Sequence, residues 1–274
     1  IGLETGIELA KRGAKVILAC RNEEKAQKAV EKILKATDNK NVSYRILDLA
    51  SLKSVRKFAD EINANEDRLD ILINNAGIQA VPSMEGLTED GLHPVLASNY
   101  FGHFLLTNLL IDLLKKSTPS RVINVASLAA ILYNFSTVNE LNNSGISFMV
   151  YARSKLCNIY FTRELHEKMK DTGVTTYSLH PGVIYTEFTR DFPNIIKQVF
   201  ECFVKLFFKN AKQGAQTTLH CALAKDIEKY SGKYFTDCKV DSFYRGAKNL
   251  EFSKILWRRT EELVGLKKKL HDHC

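Results

Sequence analysis

Short apolar runs alternate with longer segments whose apolar positions recur every three or four residues, nearly throughout the chain. Lys15–Ala19, Val42–Leu47, Leu69–Ile73, Arg121–Ala126 and Val174–Leu179 are rich in β-branched residues and leucine, and they predict strands buried on both faces. Between them, Leu3–Arg12, Glu23–Lys35, Ser51–Asn63, Glu89–Lys116 and Ala152–Lys170 carry helical spacing. Units of this kind build an α/β fold: a doubly wound, Rossmann-type parallel sheet with right-handed crossovers and helices on both faces. Ligands of such sheets sit beyond the carboxyl ends of the strands, so the residues just after each strand are the first candidates for function.

The first unit is incomplete. The chain opens at Ile1 within a helical pattern, without the strand and most of the glycine-rich turn that would bring a pyrophosphate to the helix N-terminus. Gly2 reads as the last glycine of that turn. The absent strand belongs in the centre of the sheet, between Lys15–Ala19 and Leu69–Ile73, so residues 1–274 alone are expected to fold poorly. A signal or anchor upstream of Ile1 stays open.

Composition adds little to the fold and more to the choice of partners. The 274 residues, 45% of them apolar and without a Pro/Gly/Ser-rich linker, are expected to form one domain. The net charge of +8 is spread over the helices rather than drawn into a stripe. That argues for an anionic cofactor and an acidic membrane surface and against nucleic acid. The six cysteines (Cys20, Cys157, Cys202, Cys221, Cys238 and Cys274) lack metal-site spacing and read as reduced thiols. His271, His273 and Cys274 read as a frayed tail rather than a metal site.

The chemistry centres on Tyr151-Ala-Arg-Ser-Lys155. An i,i+4 spacing sets the phenol and the ammonium on one helical face. A free phenol has a pKa near 10, and a neighbouring cation favours phenolate; this suits proton transfer to or from a substrate oxygen during hydride transfer. The spacing alone is weak, because Tyr244-Arg-Gly-Ala-Lys248 repeats it. Position separates the two: Tyr151 opens a helix after the strand that ends beside Ser127, a hydrogen-bond donor suited to a substrate oxygen, whereas Tyr244 lies in a charged loop with no such partner.

With these residues the chain resembles the short-chain dehydrogenase/reductase family. Asn74-Asn75-Ala76-Gly77 is similar to the family's segment that supports the cofactor site and the central strands. Asn99, in Ser98-Asn-Tyr-Phe-Gly-His-Phe104, matches the asparagine that holds a water in the proton relay. Ser127 matches the catalytic serine, and Pro181-Gly182 with Thr186 matches the segment that contacts the nicotinamide. The resemblance therefore implies Asn99, Ser127, Tyr151 and Lys155 as the catalytic set, with Ser127 and Tyr151 also touching substrate. It implies Gly2, Asp48, Leu49, Asn75, Ala76, Gly77, Tyr151, Lys155, Pro181, Gly182 and Thr186 around the cofactor. Plainer roles stay open for Asn75 as a strand tie through backbone bonds, Gly77 as backbone clearance, Asn99 as a packing amide and Asp48 as a helix cap.

At the end of the second family strand, where NAD enzymes carry an acidic residue, this chain has Cys20-Arg21. Loss of the carboxylate and gain of a guanidinium suit a 2′-phosphate, so NADP(H) is the expected cofactor and Arg21 its ligand, although Arg21 also fits a solvated surface charge.

Within the family, Asn99–Thr107, Tyr151–Leu165, Gly214–Ala222 and Ser231–Cys238 are most similar to the retinol dehydrogenase group, as is the long interval from Ser127 to Tyr151. This likeness implies a lipophilic carbonyl or alcohol substrate, most simply retinal and retinol. A steroid or general carbonyl reductase, or a non-catalytic lipid- or cofactor-binding protein, remains an alternative. Residues 187–215 are expected to form a substrate lid, in which the apolar Ile195–Lys209 would serve as a cover, a membrane-surface helix or a core helix. The likeness also implies association with the endoplasmic reticulum membrane, a catalytic domain facing the cytosol, and a homodimer built on the helices at Glu89–Lys116 and Ala152–Lys170.

Overall fold

A computed structural model describes residues 1–79, 86–182, 209–242 and 245–267. The alternation read from the sequence is present: α1 (Gly2–Lys11), β1 (Val16–Cys20), α2 (Glu23–Ala36), β2 (Val42–Ile46), α3 (Leu52–Asn65) and β3 (Ile71–Asn74) follow in order. The side chain of Asn22 accepts from Lys25 N at 2.8 Å and that of Ser51 from Ser54 N at 3.3 Å, which fixes the starts of α2 and α3.

The expected helix over Glu89–Lys116 is the main departure. Helical backbone begins only at Pro94, where a proline is tolerated in the first turn, and the His93 ring accepts from Val95 N at 3.2 Å. A π-helical turn at Ala97–Phe101 then leads into α4 (Gly102–Leu109), and a break at Leu110 precedes α5 (Ile111–Lys116). Next come β4 (Ser120–Val125), α6 (Ser147–Lys168) and β5 (Val174–His180). Helix α6 starts ahead of the expected Ala152, so Tyr151 lies inside it rather than at its opening. The chain continues with α7 (Ala211–Leu223), β6 (Tyr234–Thr236), β7 (Lys239–Asp241) and α8 (Leu250–Leu263). Of the proposed lid, residues 187–208 lie outside the described residues, as do Thr186, Tyr244 and the tail from 268 onward.

Strands β3, β4, β5 and β6 pair in parallel in that order, and β7 closes the edge antiparallel to β6. β1 and β2 form a separate parallel pair. Among the described residues no backbone pairing joins β1 to β3.

Two packing features stiffen the ground beneath the strand ends. Buried Asn74 donates from Nδ2 to Asn124 Oδ1 at 2.8 Å and to Thr107 Oγ1 at 3.0 Å, and Asn124 Nδ2 donates to Thr162 Oγ1 at 2.8 Å. This polar ladder ties β3, β4, α4 and α6 together inside an otherwise apolar core. On the far side of α4 and α6, α8 inserts Trp257 against Phe104 and Phe161, with ring centroids 4.6 and 5.7 Å away. Helix α8 thus lies on the helices for which a dimer surface was expected. No helix among the described residues is long and apolar enough to cross a membrane.

Candidate active site

The candidate residues converge beyond the carboxyl ends of β3, β4 and β5. Ser127 follows β4 and caps the short helical turn Leu128–Leu132, its Oγ accepting from Ala129 N at 3.2 Å. That leaves its hydroxyl proton for another acceptor, and it hydrogen-bonds with the Tyr151 phenol. Helix α6 carries Tyr151 and, one turn on, Lys155, whose Nζ lies 5.7 Å from the centre of the Tyr151 ring. Lys155 is buried and donates to the Val125 carbonyl at 3.0 Å, which Asn158 Nδ2 also reaches at 3.3 Å.

The electrostatics differ from the expectation in one respect. Burial raises the Tyr151 phenol above its ordinary value of 10, with only the Ser127 hydrogen bond pulling the other way. Burial also lowers the Lys155 ammonium to about 8. The amine is directed at the Val125 carbonyl rather than at the phenol oxygen, so in this structure desolvation decides the state of Tyr151.

Asn99 lies within the π-helical turn, a deformation that frequently marks functional positions. Its side chain is fully engaged: Oδ1 accepts from Ile78 N at 2.8 Å, while Nδ2 donates to Ile78 O at 2.9 Å and to Ser154 Oγ at 3.0 Å. Its backbone carbonyl faces His103, which donates from Nδ1 at 3.2 Å. Burial, then the nearby Lys155, lowers His103 to about 3 and keeps it neutral. The side chain of Asn99 therefore clamps the loop after β3 onto α6, and any relay through this residue falls to its backbone carbonyl.

The cofactor candidates form a cradle of small residues. A Cβ added to Gly77 would lie 3.1 Å from Lys155 Nζ and 3.5 Å from Asn99 Oδ1, and one on Gly2 would lie 2.9 Å from Asn75 Nδ2. Ala76 and Gly77 are exposed. The side-chain amide that ties the strands is that of Asn74; the Asn75 N–H donates to the Ile73 carbonyl at 3.0 Å, and its side chain faces the start of α1. Asp48 folds its own turn, with Oδ1 accepting from Ala50 N at 3.0 Å, and Ser51 is the cap of α3. Arg21 is exposed directly after β1. Pro181 is buried, and Gly182 adopts a φ of +94°, in the left-handed region that favours glycine. This set fits a dinucleotide: small residues clear a path past the strand ends, and cations stand at two points along it.

Three contributors were not singled out from the sequence. Gly102 brings the start of α4 so close to the loop after β2 that a Cβ would lie 2.3 Å from the Leu49 carbonyl. His103 holds the Asn99 carbonyl. His180, the last residue of β5, accepts from Leu128 N at 3.2 Å and so joins the Ser127 loop to Pro181-Gly182. The quoted stretch around Asn99 contained the first two, but no spacing rule distinguishes them.

Comparison with known proteins identifies the family. The short chain dehydrogenase family model matches residues 1–194. Retinol dehydrogenase 12 of Mus musculus is 44% identical over 97% of this chain and 83% of its own length. Retinol dehydrogenase 11 of Homo sapiens is 43% identical, over 97% and 83%. A crystal structure of an uncharacterised protein from Mycobacterium paratuberculosis superposes with a TM-score of 0.76 at 32% identity, covering 96% of this chain and 89% of the other. An actinorhodin polyketide ketoreductase variant with NADPH shares the fold alone, at 18% identity and a TM-score of 0.67, over 90% of this chain and 93% of its own. The chain belongs to the short-chain dehydrogenase family. Within that family it falls in the retinol dehydrogenase group, and it is a nicotinamide-dependent oxidoreductase.

Proposed function

We propose that the protein is an NADP(H)-dependent reductase of lipophilic aldehydes, with retinal the leading substrate and retinol its product. The observation that carries this reading is the convergence of Ser127, Tyr151, Lys155 and Asn99 on one strand-end cradle. When bound, the nicotinamide supplies the hydride. Ser127 orients the carbonyl oxygen by hydrogen bonding, and Tyr151, held protonated by its burial, gives that oxygen its proton. Lys155 stands beside Gly77, placed to hold the cofactor ribose, and its charge stabilises the phenolate left behind. Arg21, exposed at the end of β1 where a carboxylate is absent, would bind the 2′-phosphate. The retinol dehydrogenase names of the relatives support the substrate class, and the NADPH bound to the ketoreductase supports the cofactor.

The test is to follow NADPH and NADH oxidation in the full-length protein against all-trans-retinal and propanal. NADPH-dependent retinal turnover that is lost in Tyr151→Phe is expected, as is an Arg21→Ala variant whose KM rises for NADPH but not for NADH. Turnover of propanal only, or with NADH only, would overturn the substrate or the cofactor respectively. We propose in addition that the enzyme works at the cytosolic face of the endoplasmic reticulum membrane, for which the net charge of +8 is a suitable complement. Recovery of the full-length protein in a salt-washed soluble fraction would contradict this.

A further inference from the structure

Arg153, two residues past Tyr151 on α6, is turned by helical geometry away from the phenol. The residue is only 3% exposed. It donates through its two terminal nitrogens to the backbone carbonyls of Glu140 and Asn143, and it lies 5.6 Å from the centre of the Tyr133 ring. Both carbonyls belong to the long segment between Ser127 and Tyr151. That segment is fixed at further points: Tyr133 Oη donates to Glu140 Oε2 at 2.9 Å, and Glu140 Oε1 accepts from Thr137 N at 3.1 Å. Asn142 accepts from His93 N at 2.8 Å and donates to Gly91 O at 2.9 Å. A buried cation therefore turns both terminal nitrogens to shaping a loop.

What the loop presents is apolar. Leu128, Ile131, Leu132, Ile146 and Phe148 are all exposed, Ile146 to 76%, although each is a large hydrocarbon side chain. They lie between Ser127 and Tyr151 in sequence, Phe148 in the first turn of α6, and so are flanked by the residues that touch the reacting oxygen. An ordered loop that holds hydrocarbon in water beside a catalytic pair is suited to receive the apolar part of a substrate. Burying that surface against an aldehyde chain yields binding that a short aldehyde cannot reach.

We propose that Arg153 is a specificity-positioning residue: it clasps the Ser127–Tyr151 loop so that its apolar rim receives the hydrocarbon portion of a long aldehyde. The inference rests on the reading of the protein as a reductase of lipophilic aldehydes and adds the element that selects for chain length. Arginine is needed because a planar fork spans two carbonyls three residues apart, whereas the single ammonium of lysine does not hold that geometry.

The test compares the full-length parent with Arg153→Lys and, separately, Ile146→Ser/Phe148→Ser, using all-trans-retinal, propanal and NADPH. Both variants should raise KM for retinal about tenfold more than KM for propanal. The rim variant alters exposed side chains and should keep the parent's melting temperature. Equal rises for the two aldehydes, or no rise for either, overturn the proposal. Should the parent reduce propanal but not retinal, the substrate reading fails on its own, and hydrogen exchange decides the clasp. Arg153→Lys must then speed exchange over residues 138–146 and spare 155–165, and unchanged exchange over 138–146 rejects it.

Discussion

The backbone N–H of Leu128 donates to Nδ1 of His180 across 3.2 Å, which ties the loop that carries Ser127 to the end of β5. The bond requires an unprotonated nitrogen. Burial, and then the nearby Lys209, lower His180 to about 4, and His103 is lowered to about 3. Both folded values lie below the ordinary 6.5, so as the pH falls the unfolded chain takes up these protons first. The stability they confer is complete above about pH 6.5 and is lost progressively as the pH falls toward 4 and then 3. Urea midpoints measured from pH 7.5 to 4.5 should fall, and they should fall less in His180→Asn, whose amide oxygen still accepts from Leu128. A level midpoint in the parent would contradict the assignment.

Lys155, lowered to about 8, sets the alkaline limit of aldehyde reduction. Below that value its ammonium is intact and Tyr151 keeps the proton it must donate. Above it the ammonium is lost, and with it the stabilisation of the phenolate. A pH profile of kcat/KM for reduction should be flat from about 6.5 to 7.5 and decline above 8. A profile that holds level to pH 10 would show that the Lys155 charge is not required.

Asn99 closes both backbone groups of Ile78 and the Ser154 hydroxyl with one amide. Asn99→Ala removes the partner of both Ile78 backbone groups, while the Ser154 hydroxyl keeps its bond to the Tyr151 carbonyl, and should cost about 1–3 kcal/mol of stability, together with most of the turnover. Asn99→Asp keeps the bond from Ile78 N but sets a carboxylate oxygen against the Ile78 carbonyl. It should be intermediate in stability by chemical denaturation. Equal stabilities for all three proteins would count against the clamp.

Gly102 has no room for a methyl group, since the atom in the way is the backbone oxygen of Leu49. Gly102→Ala must push α4 from the loop after β2 and is expected to destabilise by about 1–3 kcal/mol. The same loop carries Asp48 in the cofactor region, so calorimetry should also show weaker NADPH binding. A variant with parental stability and affinity would mean that the approach is looser than it stands here.

Several parts of the site were legible along the chain because they depend on local rules. Tyr151 and Lys155 share a face by helical periodicity alone, and Asn74–Gly77 and Ser127 were located by following a strand. The helix breaks at Pro94 and Leu110 were less legible. Apolar spacing ran through both, and only backbone hydrogen bonding, with the widened turn at Asn99, separates the pieces. Strands β6 and β7 are too short for a periodic signal and gain their place from pairing, β6 with β5 and β7 with β6.

The sequence by itself determined the alternating α/β order, the family and the shared helical face of Tyr151 and Lys155, since each rests on residue type and spacing within a single element. Only the tertiary structure decided that the side-chain amide of Asn74 ties the strands, that Asn99 acts as a clamp, and that burial outweighs the Lys155 charge at Tyr151. It also set His103 against the Asn99 carbonyl, His180 against Leu128 N, and Arg153 against two carbonyls of the segment between Ser127 and Tyr151. Those outcomes depend on distances between segments far apart along the chain and on how much water each group loses, neither of which is written in any local pattern.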